Sequence, residues 1–212
     1  MHEGLEEFDR QDEARVLLLS DFHFREKTDW DAKPMRDRLL QFVAEASPRI
    51  DAVLVAGDIA FAGTDREYRT AAAWFKELMN SLSLPRDRIR FVPGNHDVQR
   101  PKVSPSARNR LDHLRALKDS IALGQEIADS LREESWVFRD RFENYLEFVA
   151  DVTGLEQADP WWNEDLQLRN VALSVAGLAS PLLSFTDDEK SRLALGLPLV
   201  SELPPADESK IS

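Results

Sequence analysis

The sequence predicts an α/β fold built on a short parallel sheet, and three observations carry that prediction. Three runs, Val16-Leu17-Leu18-Leu19, Ala52-Val53-Leu54-Val55-Ala56 and Ile89-Arg90-Phe91-Val92-Pro93, have the length and apolar character of buried strands. Each leads into a loop of polar, chemistry-bearing residues: Asp21-Phe22-His23, Gly57-Asp58 and Gly94-Asn95-His96-Asp97. Helical periodicity fills the intervals between the runs, and a βαβαβ alternation implies parallel strands joined by right-handed crossovers.

In chain order, residues 1–14 are polar and read as a tail, after which the first strand feeds the loop carrying Asp21 and His23. Residues 34–46 place Met35, Leu39, Leu40, Val43 and Ala44 at helical spacing, with a proline near the start and Ser47-Pro48 at the end. The second strand ends in Gly57-Asp58. Thr64 and Glu67 form a capping-box pattern that opens a helix running to about Leu82, and Pro85 with Asp87 turns the chain into the third strand. From Ser104 to about Val152, Leu111, Leu114, Leu117, Ile121, Ile127 and Leu131, then Val137, Phe138, Phe142, Tyr145, Leu146 and Val149, read as two long helices. Such an insert is expected to cap the catalytic edge. Asp159-Pro160-Trp161-Trp162 marks a turn, Leu168 to Leu178 is β-like, and Thr186 with Glu189 forms a second capping box before a short helix. The expected layout is a tail over 1–14, one domain over 15–203 with its insert at about 104–152, and a polar tail over 204–212.

With 212 residues the chain can bury one real core but not two full domains. It has no cysteine, so disulfides and thiolate metal sites are excluded, and any metal must be held by oxygen and imidazole. The acidic N-terminus lacks an apolar signal core and no apolar run is long enough to span a bilayer, so a cytoplasmic protein without a membrane partner is expected. A net charge of −12 argues against gripping a nucleic-acid backbone, because that affinity comes from cations neutralising phosphates. Residues 99–118 nonetheless carry Arg100, Lys102, Arg108, Arg110, Arg115 and Lys118 against a single acid, Asp112. This run reads either as steering for an anionic substrate or as a solvated helix face. It permits nucleic acid as a partner, while the overall acidity disfavours it.

Hydrolysis of a phosphate ester requires charge compensation on the phosphoryl oxygens, a strong nucleophile and a proton for the leaving oxygen. Two divalent ions roughly 3.5–4 Å apart supply the first two by sharing and deprotonating one water. An aspartate at a strand end is a short, rigid bridge for such a pair, and Asp58 fits that role. Asp21 and His23 can both point at one ion, and Asn95 can offer a neutral amide oxygen to the other. Without an ion, Asp21 and Asp58 would crowd like charges together. His96, next to Asp97, reads as a general acid oriented by the carboxylate.

The ordered set Asp-x-His, Gly-Asp and Gly-Asn-His-Asp, each behind a strand, resembles the calcineurin-like metallophosphoesterases, and within them the phosphodiesterase-like branch. Any one piece occurs by chance in many proteins; together and in order they are specific. The resemblance implies that Asp21 and His23 bind one metal, Asp58 bridges, Asn95 binds the other, and His96 with Asp97 works on the substrate. It also implies two sheets packed face to face as a β-sandwich flanked by helices. The segment from Val175-Ala176-Gly177-Leu178-Ala179-Ser180 through Asp187-Asp188-Glu189 and Leu195-Gly196 resembles the part that follows the cap. Members of the family continue with a strand ending in a histidine and then a Gly-His-x-His motif, whereas the four histidines here are His2, His23, His96 and His113.

The expectation is therefore a metal-dependent phosphoesterase acting on a phosphodiester or phosphomonoester with two divalent ions, manganese, iron or zinc. The chain itself is expected to be catalytically incomplete, with further histidines supplied by a C-terminal continuation or a partner. The alternative is a non-catalytic metal- or nucleotide-binding interaction module of the same fold. Among the remaining candidates, His2 reads as tail and His113 as helix surface. Trp161 and Trp162 read as packing residues rather than a base-stacking platform, Asp187 and Asp188 as a helix start, and Gly63 as a turn residue.

Overall fold

The computed structural model describes residues 13–27, 32–46 and 49–186. Strands β1 (Val16–Leu19), β2 (Ala52–Ala56) and β3 (Ile89–Val92) form a parallel sheet in the order β1-β2-β3, with Leu17 opposite Val53 and Val55 opposite Phe91. Helix α1 (Lys33–Ala46) joins the first pair of strands and α2 (Asp65–Ser81) the second, as the alternating pattern requires. Side chains alternate across a strand, so Leu17, Leu19, Val53, Val55, Ile89 and Phe91 share one face. That face meets Val43 of α1, Ala71, Phe75 and Leu78 of α2, and Phe148 and Val152 further along the chain. Phe75, Phe91 and Phe148 pack edge to face, with ring centroids 4.9–6.0 Å apart.

The opposite face of the sheet receives a hairpin. Strands β4 (Trp162–Leu168) and β5 (Val171–Gly177) pair antiparallel, and Leu166, Leu168, Leu173 and Val175 cover Ala14, Val16 and Ala52. The turn expected over Asp159-Pro160-Trp161-Trp162 is present as bends at 158–160 and ends one residue early, because Trp162 begins β4. Its indole N–H donates to the Phe91 carbonyl at 2.6 Å, tying the hairpin to β3, and its ring lies against Gly177, where an added Cβ would fall 2.2 Å from it. Trp162 is thus a packing residue, and Gly177 is there because only hydrogen fits under the indole.

The two long helices expected between Ser104 and Val152 are also corrected. The segment comprises α3 (Pro105–Ala116), α4 (Ser120–Glu133), α5 (Trp136–Arg139), a 3-10 turn at Asp140–Phe142 and α6 (Glu143–Thr153). Caps make the breaks. The Ser104 hydroxyl opens α3 by accepting from the Ala107 N–H, Asp119 does the same for α4 with the Ala122 N–H, and Gly154 ends α6 at φ +75°. Apolar periodicity runs through these breaks, so the pattern alone could not reveal them. Helices α3 to α5 share a separate core in which Leu111, Leu114, Ile127 and Phe138 meet Ala179, Leu182 and Phe185. Helix α6 instead packs on α2 in the main core through Tyr145, Phe148 and Val149.

The predicted capping box of α2 is present, Thr64 accepting from the Glu67 N–H while the Glu67 carboxylate accepts from the Thr64 and Ala62 N–H groups at 3.1 and 2.9 Å. The expectations for Ser47-Pro48, for the Thr186–Glu189 box and the chain beyond it, and for residues 1–12 lie outside the described residues. No helix among the described residues is long and apolar enough to cross a membrane.

Candidate metal centre

The three strand-end loops converge on one point. The Asp21 N–H donates to the Gly57 carbonyl at 3.2 Å and the His23 N–H to the Asp58 carbonyl at 2.9 Å, so the first loop is laced to the second by its backbone. Asp21, His23 and Asp58 all occupy the left-handed region, at φ +60°, +47° and +53°. That region is uncommon for residues with a Cβ, although Asp and His tolerate it best. Here it turns the side chains off the strand ends toward a common space.

The second and third loops cross almost in backbone contact. A Cβ on Gly57, itself at φ +86°, would fall 2.8 Å from the Gly94 nitrogen. A Cβ on Gly94 would fall 2.0 Å from Asp58 Oδ1 and 2.4 Å from the Asp58 nitrogen. Glycine in both motifs is thus a condition for bringing Asp58 and His96 together.

His23 Nε2 lies 4.0 Å from both Asp21 Oδ1 and Asp58 Oδ2. The His23 and His96 rings meet edge to face at 4.7 Å, and the His96 N–H donates to Asp58 Oδ1 at 3.1 Å. One donor atom from each of His23, Asp58 and His96 lies within 4.8 Å of the others. Burial lowers the His23 pKa, against the raising pull of Asp58 and Asp21 and with help from His96 and Arg25. A neutral imidazole facing two carboxylates is the form that binds a cation, so this donor set fits a divalent ion.

Of the expected ligands, Asp58 and His23 are in the cluster. Asp21 sits at its rim, its side chain 69% exposed, and Asn95 opens the 3-10 turn Asn95–Asp97 beside it. His96, expected to act on the substrate, enters the cluster itself. Its Nδ1 is 2.8 Å from the Phe61 carbonyl; a carbonyl only accepts, so Nδ1 is the donor there and Nε2 stays out of this bond.

The expectation that Asp97 orients His96 is corrected. Both Asp97 oxygens are turned away to other donors: Oδ1 accepts from the Ala60 N–H (2.8 Å) and the Tyr68 hydroxyl (3.0 Å), Oδ2 from the Gly94 N–H (2.8 Å) and the Ile59 N–H (3.2 Å). Asp97 is 1% exposed and pins the loop after Asp58 to the loop before His96. Burial pushes its carboxyl up to about 6, opposed by the three backbone donors. Burial and the Asp97 charge hold the Tyr68 hydroxyl well above its ordinary pKa, so it remains a donor. Orientation of His96 falls instead to Phe61, whose ring also flanks both histidines and lies under the Arg25 guanidinium at 4.1 Å. No sequence signal could have marked Phe61, since it acts through a main-chain carbonyl.

A model of the calcineurin-like phosphoesterase family matches residues 14–195. The chain belongs to that family. It is also 29% identical over 145 residues to a protein of Bacillus subtilis (strain 168) described as the uncharacterized metallophosphoesterase-like protein YydB. That match takes in 63% of this chain and only 28% of the relative, so this phosphoesterase chain spans well under half the length of the curated protein it resembles.

Proposed function

We propose that the chain carries the metal centre of a phosphoesterase that hydrolyses a phosphodiester or phosphomonoester. The observation that supports this most is the convergence of His23, Asp58 and His96 within 4.8 Å at the ends of parallel strands, the place where open α/β sheets gather ligands. Asp21, His23, Asp58 and Asn95 would hold divalent ions, with Asp58 between them. When bound, such ions supply charge compensation and an activated water. Asp58 also fixes the His96 backbone through its accepted hydrogen bond. His96 Nε2, free of the Phe61 bond, holds or delivers a proton at the leaving oxygen. Asp97 keeps the two loops in register and touches no reacting atom.

In the same reading, the β4–β5 hairpin is part of the second sheet of a β-sandwich. Because α6 is built into the main core, α3 to α5 alone form the cap. These protein donors are too few to saturate two ions, and further imidazoles from a continuation or a partner would complete the set. The test is hydrolysis of bis(p-nitrophenyl) phosphate by manganese-loaded protein, lost in Asp58→Asn. Turnover that survives excess chelator would sink the proposal. The three-donor cluster also suits a single ion in a non-catalytic binding module; calorimetry showing one manganese per chain, with no turnover, would favour that second reading.

A further inference from the structure

Beside the metal centre lies a cleft of about 630 Å³, a size typical of small-ligand sites. Its near wall continues the two loops that carry the metal-site residues: Thr64 follows Asp58, and Gln99, Arg100 and Lys102 follow His96. Its far wall is Arg108 of α3 together with Phe185. Among the described residues its lining holds three cations and no carboxylate, in a chain of net charge −12.

The charges are not equivalent. Lys102 is shared with Glu143. Arg108, by contrast, forms no ion pair among the described residues and lies 5.5 Å from the Phe185 ring centroid. The Arg115 guanidinium covers the same buried ring at 4.0 Å, so Phe185 anchors positive charge and is closed to stacking by a base. Gln99 Oε1 is buried without a donor, and an unmet buried acceptor is costly. A ligand suited to this space brings an anionic group for Arg108 and an N–H or O–H for Gln99.

We infer that the cleft binds a second anionic group carried on one arm of the ester at the metal centre, so that the substrate class is a small phosphate ester bearing at least two anionic groups. The reaction in this statement rests on the proposed phosphoesterase activity; the binding does not. A cleft of about 630 Å³ whose described lining offers Arg100, Lys102 and Arg108 in an acidic chain favours a compact ligand over a nucleic-acid strand, which needs an extended basic track.

The test is calorimetric titration of the full chain, manganese present, with thymidine 3′,5′-bisphosphate and thymidine 5′-monophosphate. The bisphosphate is expected to bind about tenfold tighter, as befits one charge-assisted contact. Arg108→Gln should bring the ratio below about threefold, while the exposed Arg132→Gln, equal in charge change, should leave it intact. Equal affinities in the unmodified chain, no binding of either nucleotide, or a ratio unaffected by Arg108→Gln would overturn the assignment. So would an oligothymidylate that binds tighter than the bisphosphate with the same Arg108 dependence, since the surface would then serve nucleic acid. If the nucleotide discrimination is present but bis(p-nitrophenyl) phosphate is not hydrolysed, the cleft assignment stands and the phosphoesterase reading fails alone.

Discussion

Replacing Asp97 by asparagine in metal-free protein separates the two costs this buried carboxylate carries. The first is geometric. An amide keeps one acceptor oxygen and presents an NH₂ to donors that the second oxygen used to satisfy. If the NH₂ faces the Oδ1 side, the Tyr68 hydroxyl can rotate to accept from it, but the Ala60 N–H, now 2.8 Å from its Asp97 acceptor, is left unpaired. One orphaned buried donor costs about 1–3 kcal/mol. The second cost is ionisation. The folded-state pKa is about 6 against an ordinary 3.8, so the folded chain binds more protons than the unfolded chain between those values. Stability from this group is therefore greatest at low pH and is lost as pH rises through 6. From pH 4.5 to pH 8 the loss is about 2 kcal/mol, at about 1.4 kcal/mol per pKa unit. Asparagine does not titrate, so the stability gap between Asp97→Asn and the unmodified chain should narrow by about 2 kcal/mol over that range. Urea unfolding of both proteins in chelator at several pH values measures the gap directly, because titrating groups not coupled to Asp97 cancel in the difference. A gap that stays constant or widens with pH would refute the reasoning.

Two further outcomes follow from the loop crossing and the cap. Gly94→Ala places a methyl 2.0 Å from Asp58 Oδ1, so Asp58 must leave its position; calorimetry should show manganese affinity falling by at least about tenfold, in line with other losses of ligand support. Thr64→Ala removes the N-cap of α2 and should lower unfolding free energy by about 1 kcal/mol in urea titrations, with manganese affinity unchanged because Thr64 is not one of the donor residues His23, Asp58 and His96.

Strand-end chemistry is legible in the sequence. Apolar runs of four or five residues, each followed within two positions by Asp or Gly, specify both where a strand stops and what it presents, and so β1, β2 and β3 are readable from local pattern alone, as is the α2 capping box from Thr64 and Glu67. Helix breaks in the insert were not, because Ser104 and Asp119 cap helices whose apolar repeat carries on across the gap. The hairpin was only half visible: Trp162 looks like a turn residue in sequence and becomes a strand residue by pairing with the distant Gly177.

By itself the sequence determined the family and the order of the motifs, and it proposed Asp21, His23, Asp58 and Asn95 as groups able to hold a cation, since residue type and spacing along a strand end are local properties. Only the tertiary structure decided what those groups do to one another. Asp97 is adjacent to His96 in the chain, yet its hydrogen bonds run to Ile59, Ala60, Tyr68 and Gly94, while His96 is steered by Phe61 from another loop. The physical reason is that a buried carboxylate goes to the nearest unsatisfied backbone donors, and which donors are near is settled by how loops cross, a matter no spacing in the chain records.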